Sequence, residues 1–413
     1  MDALKRHLTA KINRLLASFP VVVILGARQC GKSTLAQMIG KNWDYVDLEN
    51  PVHYQRVSDD PVLFFKQHNH HLIIDEAQKS PQLFEVLRGV VDAERQLKGR
   101  FLLTGSAHFE LLKQVSESLA GRVAIVELGN LKVSERESKR LSNFYDIFAS
   151  PLSVETLTRL SRLQPSFDVH DVNRSLLEGG YPEPVLSADQ AFRLDWMENY
   201  FDTYINRDMR TLFPRIDIVK YRRVVAMLSA LSGTMINRSE ISRSIEASEK
   251  TCRDYMDIIK GTYFWRDLPA FRTPKIKTTS KLPKGHFRDS GLLLFLQNIY
   301  TSEQLINYPR LGNVFESFVV EELIKGIQTT SARNLVFSHF RTKAGGEIDL
   351  IAEGSFGLLP IEVKYQSNTG KRQIQSLENF IKMHQLPLGI VINNCESPAF
   401  ITEKIIQIPV GCI

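Results

Sequence analysis

The stretch VVVILGARQCGKSTLAQ, residues 21–37, limits what this chain can fold into more than any other. Five aliphatic residues in a row, Val21 to Leu25, read as a strand buried on both faces. Gly26 to Ser33 then fit the pattern G-x-x-x-x-G-K-[ST], and the next residues continue as a helix. Strand, glycine-bearing loop and helix in that order form the setting of a phosphate-binding loop. In such a loop the backbone N–H groups of Gly26, Ala27, Arg28, Gln29, Cys30, Gly31, Lys32, Ser33 and Thr34 close around phosphates, and the helix N-terminus favours the anion. Lys32 would reach the β and γ phosphates, and the Ser33 hydroxyl would ligate Mg²⁺. Cys30 sits at a variable position where only its N–H is needed.

Further strands are expected at DYVDLEN (44–50), HHLIIDE (70–76) and RFLLTGS (100–106), each ending in polar residues. Asp75 at a strand tip can hold the Mg²⁺ shell, and Glu76 can polarise an attacking water. Thr104 and Ser106 both qualify as contacts to the γ-phosphate or that water. Strands alternating with helices predict a parallel α/β sheet with its ligand at the carboxyl ends of the strands.

The order of this loop, IIDEAQ, LTGS and SLAGR resembles the bacterial and archaeal AAA-type ATPases that carry a C-terminal domain called DUF4143. The resemblance implies ATP and Mg²⁺ as ligands. It also makes Arg122 a candidate arginine finger or γ-phosphate sensor, the alternative being a structural salt bridge. A finger acting in trans would require a homo-oligomer. The chain departs from the family after residue 128, where GNLKVSERE replaces the usual Pro-Leu-Ser stretch.

The net charge of +6 is uneven: residues 201–290 carry 18 basic and 10 acidic side chains, whereas 151–200 carry 4 and 8. Residues 176–185, LLEGGYPEPV, mark a turn, and with WMENYFDTYINRDMRTLFP (196–214) they resemble the family's domain boundary. Tyr200, Tyr204 and Ile205 read as core. Arg207 either reaches a nucleotide or braces a helix with Asp208. Three helices are expected within 221–268, capped by Asn237 and Ser248, followed by a hairpin with six Lys/Arg and no acid between Leu268 and Arg288. This looks like a winged helix-turn-helix with a basic wing, and DNA is the expected partner of residues 216–290. The alternative is a winged helix that docks protein.

In the last third, NVFESFVVEELIKG (313–326) is a helix, and three strands follow. Asp349 is followed thirteen residues later by Glu362-Val363-Lys364. Period-two alternation puts Glu362 and Lys364 on one face, where Asp349 could meet them from a neighbouring strand. Two carboxylates and a lysine suit metal-assisted phosphodiester hydrolysis, though a salt-bridge ladder uses the same residues. The set resembles the PD-(D/E)xK nuclease fold. By that resemblance Glu316, or else Glu321, supplies the first-helix acid, with Glu347 as a further candidate. A second divalent metal would then be held by Glu316, Asp349 and Glu362. Such domains can also keep the fold without cutting.

The expected architecture is therefore an AAA-type P-loop core (1–140), a helical connector (141–215), a basic winged-helix module (216–290) and a restriction-endonuclease-like α/β domain (291–413). The expected function is a Mg²⁺-dependent ATPase coupling nucleotide state to DNA binding, with DNA cleavage as a further activity. The alternative is a nucleotide-dependent switch whose nuclease-like domain is inert and binds a protein. Four scattered cysteines give neither zinc spacing nor a disulfide framework. No run of 18 apolar residues exists and the N-terminus lacks a signal-peptide pattern, so a cytoplasmic protein away from membranes is expected.

Overall fold

The computed structural model describes residues 4–106, 115, 118–272, 282–342 and 345–413. The chain divides into two units. One runs to Leu131 and includes Gly261–Tyr263; the other comprises Lys132–Lys260 and Phe264–Ile413.

The first unit is built on five parallel strands: β1 (Val21–Leu25), β2 (Asp44–Asp47), β3 (Leu72–Asp75), β4 (Phe101–Gly105) and β5 (Val123–Glu127), in the order β2-β3-β4-β1-β5. Every residue of β1, β3 and β4 is buried, as inner strands with both faces covered require. The chain leaves β1, lays β2 at the far edge, works back through β3 and β4, and then passes β1 to place β5. That reversal sets the carboxyl ends of β3, β4 and β1 side by side. The helix Leu8–Leu16 buries Leu8, Ile12 and Leu16, a four-residue spacing that gives it one apolar stripe.

The second unit begins with helices, among them Val169–Glu178, Gln190–Thr203 and Ile218–Ala230. A π-helical turn at Tyr204–Asp208 follows the second of these. Trp196 stacks on Tyr200 and Tyr181 packs against both at a tilt, with ring centroids 4.8–5.3 Å apart. Tyr200, Tyr204 and Ile205 are core, as expected. The side chains of Arg207 and Asp208 lie outside the described residues. The three helices expected after residue 221 are Ile218–Ala230, Arg238–Ser244 and Glu249–Gly261. Asn237 accepts from the N–H of Ser239, and Ser248 from that of Thr251. Beside them stands an antiparallel sheet of β6 (Thr234–Met235), β7 (Trp265–Leu268) and β8 (Lys284–Phe287), in the order β6-β8-β7.

The helix Leu311–Thr329 is buried nearly all round, more than an amphipathic reading suggests. It packs against a six-stranded mixed sheet of β9 (Val336–Arg341), β10 (Glu347–Gly354), β11 (Gly357–Val363), β12 (Gly389–Asn393), β13 (Ala399–Thr402) and β14 (Ile405–Pro409). Strands β9, β10 and β11 form an antiparallel meander. The helix Gln375–His384 carries the chain to β12, parallel to β11. Among the described residues no helix is long and apolar enough to cross a membrane.

Candidate functional site

The phosphate loop forms as its sequence requires. Gly31 takes a left-handed conformation (φ 94°) and starts the helix Lys32–Ile39 without a side-chain cap, leaving its first N–H groups for a ligand. Lys32 is buried, and its Nζ donates to the carbonyl of Ala27 across the loop at 2.9 Å. Arg28 pairs with Glu49 at 3.1 Å. Cys30 is wholly buried with its Sγ against the Leu128 carbonyl, so its side chain packs rather than merely filling a variable position.

Asp75 and Glu76, at and just past the end of β3, are held from the end of β4. The Thr104 hydroxyl donates to Asp75, and its oxygen also accepts from the N–H of Glu76 at 3.2 Å. The Ser106 hydroxyl donates to Glu76 at 2.8 Å, and Gln78 donates to the same carboxylate. The sequence left Thr104 and Ser106 as alternatives; the structure gives each its own acid. Glu76 sits at φ 52°, an uncommon conformation for a side-chain-bearing residue, just past the strand end. The oxygen-only set of Ser33 and Asp75 suits a hard cation such as Mg²⁺.

Two contributors to this site carry no sequence signal. Tyr45 donates its hydroxyl to Asp75 at 2.6 Å. Burial and the Asp75 carboxylate hold that phenol protonated well above its ordinary range. Arg6 donates to the carbonyls of Cys30 at 2.9 Å and Gly129 at 2.6 Å, pinning the loop to the chain beyond β5. Arg122 makes a bidentate pair with Asp92 at 2.6 and 2.8 Å.

A second polar centre lies in the other unit. Leu350 pairs with Ile361 across β10 and β11, so Asp349 and Glu362 are the next pair along. Asp349 accepts from the N–H of Val363 at 2.9 Å, and Lys364 donates to Glu362 at 2.6 Å. Glu316 joins them from the helix Leu311–Thr329, through a contact the sequence did not reveal. Lys284 of β8 places its Nζ 2.6 Å from Glu316, 2.6 Å from Glu347 and 2.8 Å from Asp349. Glu321 instead faces Arg266 and Arg288. Of the basic residues expected in the hairpin, Arg272 is exposed. Lys284 and Arg288 turn inward to neutralise buried acids, and Lys275, Lys277 and Lys281 lie outside the described residues.

Burial alone would drive Lys284 toward neutrality. Asp349, Glu316 and Glu347 more than reverse this and hold its pKa well above the ordinary lysine range. Glu362 is pushed up to about 8, by burial first and then by Asp349, against the pull of Lys364. Burial raises Glu316 as well, whereas the lysines hold Asp349 down in spite of burial. Among the described residues no group of three or more His, Cys, Asp or Glu side chains is placed to hold a metal ion.

Residues 18–137 match the family model of an AAA domain, and residues 311–413 match the domain of unknown function DUF4143. Uncharacterised proteins of Mycobacterium bovis and Mycobacterium tuberculosis are each 32% identical over 365 residues, covering 88% of this chain and 74% of theirs. The chain belongs to their family. In this AAA–DUF4143 chain, residues 169–303 also match a second domain of unknown function, DUF8612. That match runs across the expected boundary between connector and winged helix. The Walker-type ATPase of Pyrococcus abyssi is 16% identical, with 72% of this chain and 96% of that one covered and a TM-score of 0.45. The N-terminal unit is thus a P-loop ATPase-like α/β domain by its family match and its parallel sheet.

Proposed function

We propose that the chain binds ATP with Mg²⁺, hydrolyses it, and uses nucleotide state to govern DNA binding by its second unit. The observation that carries this reading is the pairing of Asp75 with Thr104 and of Glu76 with Ser106, at strand ends beside the phosphate loop. Residues 26–34 hold the phosphates. Lys32 leaves the Ala27 carbonyl for the β and γ phosphates. Ser33 and Asp75 hold Mg²⁺, which when bound neutralises phosphate charge. Glu76 orients the attacking water, with Thr104 fixing the acid pair. Arg122 serves as a finger only after leaving Asp92, and in trans only within a homo-oligomer. Lys32→Ala should abolish ATP hydrolysis; intact hydrolysis overturns the reading.

The three helices and the β6-β8-β7 sheet support a winged-helix assignment for residues 216–290. Arg223, Arg243, Lys250 and Arg253 are exposed there and suit a phosphate backbone. DNA affinity should fall steeply with salt; affinity indifferent to salt counts against this contact. The helix–meander–helix–strand order of residues 311–393 supports a PD-(D/E)xK-type fold, with Asp349, Glu362, Lys364 and Glu316 as its site. Lys284 among those acids favours the second reading, in which this domain binds a protein partner and does not cut. Plasmid incubated with Mg²⁺ or Mn²⁺, comparing the parent with Asp349→Ala and Lys364→Ala, separates the two. Metal-dependent cutting lost in both variants would restore the nuclease.

A further inference from the structure

Lys284 has three ammonium donors and three carboxylates within 2.8 Å, on Glu316, Glu347 and Asp349. It is 2% exposed. These acids come from the helix Leu311–Thr329 and from β10, and the lysine comes from neither. It belongs to β8, the central strand of the small sheet, where it pairs with Met235 on one side and Leu268 on the other. Two residues on, His286 is wholly buried and shares a 3.0 Å hydrogen bond between its Nδ1 and Ser317 Oγ on the same helix.

The two ends of the connection between β7 and β8 are tied to β9. The N–H of Phe271 donates to the His339 carbonyl at 2.7 Å, and the N–H of His339 donates to the Pro269 carbonyl at 3.0 Å. The His339 ring lies 3.0 Å from the Leu282 carbonyl through Nε2. Lys284 thus follows a connection that is tied to β9 at both of its ends.

We propose that Lys284 is the built-in cation of the C-terminal acid cluster, closing a cryptic divalent-cation site of Glu316, Asp349 and Glu362. The inference rests on reading residues 291–413 as nuclease-like. Like charges repel, so an ammonium 2.6–2.8 Å from Glu316, Glu347 and Asp349 opposes a divalent ion among the same carboxylates. The structure as it stands therefore does not fit the metal that such a fold implies. Glu362 supplies an independent sign of unused coordinating capacity: its Oε1 takes Lys364, while its buried Oε2 has no hydrogen-bond partner among the described residues. Withdrawal of β8 would hand the acids to a hard cation that favours oxygen ligands. The same contact latches the hairpin to the domain.

The test uses the full chain without nucleotide, so that no metal enters the ATP site as a nucleotide complex. Mn²⁺ binding is followed by electron paramagnetic resonance and by the melting temperature. The parent and Lys284→Arg should retain no Mn²⁺ and show no shift. Lys284→Met should bind one Mn²⁺ per chain with a Kd at least about tenfold below any parental value, and its Tm should climb with Mn²⁺. Adding Asp349→Asn should remove both effects.

Mn²⁺ retained by the parent and lost in Asp349→Asn would overturn the plug while leaving a nuclease-type metal site standing. A folded Lys284→Met that ignores Mn²⁺ would overturn the plug and also remove support for the metal site. If Lys284→Met does not fold alone, recovery in Mn²⁺ supports the proposal. Failure with and without Mn²⁺ makes the lysine a structural brace and overturns it.

Discussion

Arg6 Nη1 donates to the backbone carbonyl of Cys30 at 2.9 Å, so a residue ahead of the first helix holds the middle of the phosphate loop. Its other arm reaches the Gly129 carbonyl, and the side chain is buried. Arg6→Ala removes a buried bond to the Cys30 carbonyl and a partly buried one to the Gly129 carbonyl, at a cost of about 2–3 kcal/mol for charge-assisted bonds. The expected result is a lower urea midpoint and about tenfold weaker binding of a fluorescent ATP analogue. Arg6→Lys should recover part of both. Unchanged affinity in Arg6→Ala would show that the loop keeps its shape unaided.

Glu76 and Asp75 should separate in their effects. Asp75 is buried and doubly bonded by Thr104 and Tyr45, as a metal-holding group needs to be. Glu76 lies past the strand end and is less buried. Glu76→Gln keeps the shape and the Ser106 contact but removes the base. ATP affinity should stay within about twofold while turnover falls by roughly 10²–10⁴, the usual worth of a positioned base. Phosphate release measured beside analogue binding checks this; affinity and turnover falling together would move Glu76 into the binding set.

The contrast between Glu362 and Lys284 shows how far the sequence could be read. Asp349, Glu362 and Lys364 were legible because strand period and register are local rules, and the β10–β11 pairing carried them through. The phosphate loop was legible for the same reason, since its strand, glycines and helix are contiguous. Lys284 lies in LPKGHFR, a run that looks solvated, and its partners are 32, 63 and 65 residues away. Only tertiary packing tells a buried counter-ion from a surface base. Arg6 and Tyr45 were hidden likewise, because no spacing rule links them to residues 30 and 75.

The EGG of residues 178–180 owes its first glycine, Gly179, to its backbone conformation and to Asp289. Gly179 adopts φ 69° and ψ −156°, a region that side-chain-bearing residues avoid. A Cβ there would collide with Asp289 Oδ1, whose carboxylate accepts from the N–H groups of Gly180 and Leu292 at 2.9 Å each. Gly179→Ala should therefore destabilise the second unit by about 3 kcal/mol or more, through strain and a broken cap. Chemical denaturation followed by tryptophan fluorescence would report it, since the Trp196 ring packs nearby against Tyr181. A change below about 1 kcal/mol would mean the turn adapts.

Lys132 and Glu322 form an ion pair at 3.1 Å with both side chains nearly inaccessible. Lys132 also donates to the Tyr145 hydroxyl and to the Glu322 carbonyl, and Lys325 takes the other oxygen of the carboxylate. Burial alone would raise the Glu322 pKa, but Lys132 and Lys325 overcome it and bring it to about 2. A carboxylate depressed on folding stabilises the protein fully above its unfolded value of 4.5 and loses that contribution as pH falls through about 2. The gap corresponds to on the order of 3 kcal/mol. Denaturant titrations of the parent and Glu322→Gln, at several pH values between about 6 and 2, should show a stability difference that shrinks toward acid. Lys132→Met should cost about 3–5 kcal/mol near neutrality, because it leaves part of a buried carboxylate unpaired. A parent–variant difference that stayed constant with pH would mean that Glu322 has the same pKa folded and unfolded, so that the ion pair adds no charge-dependent stability.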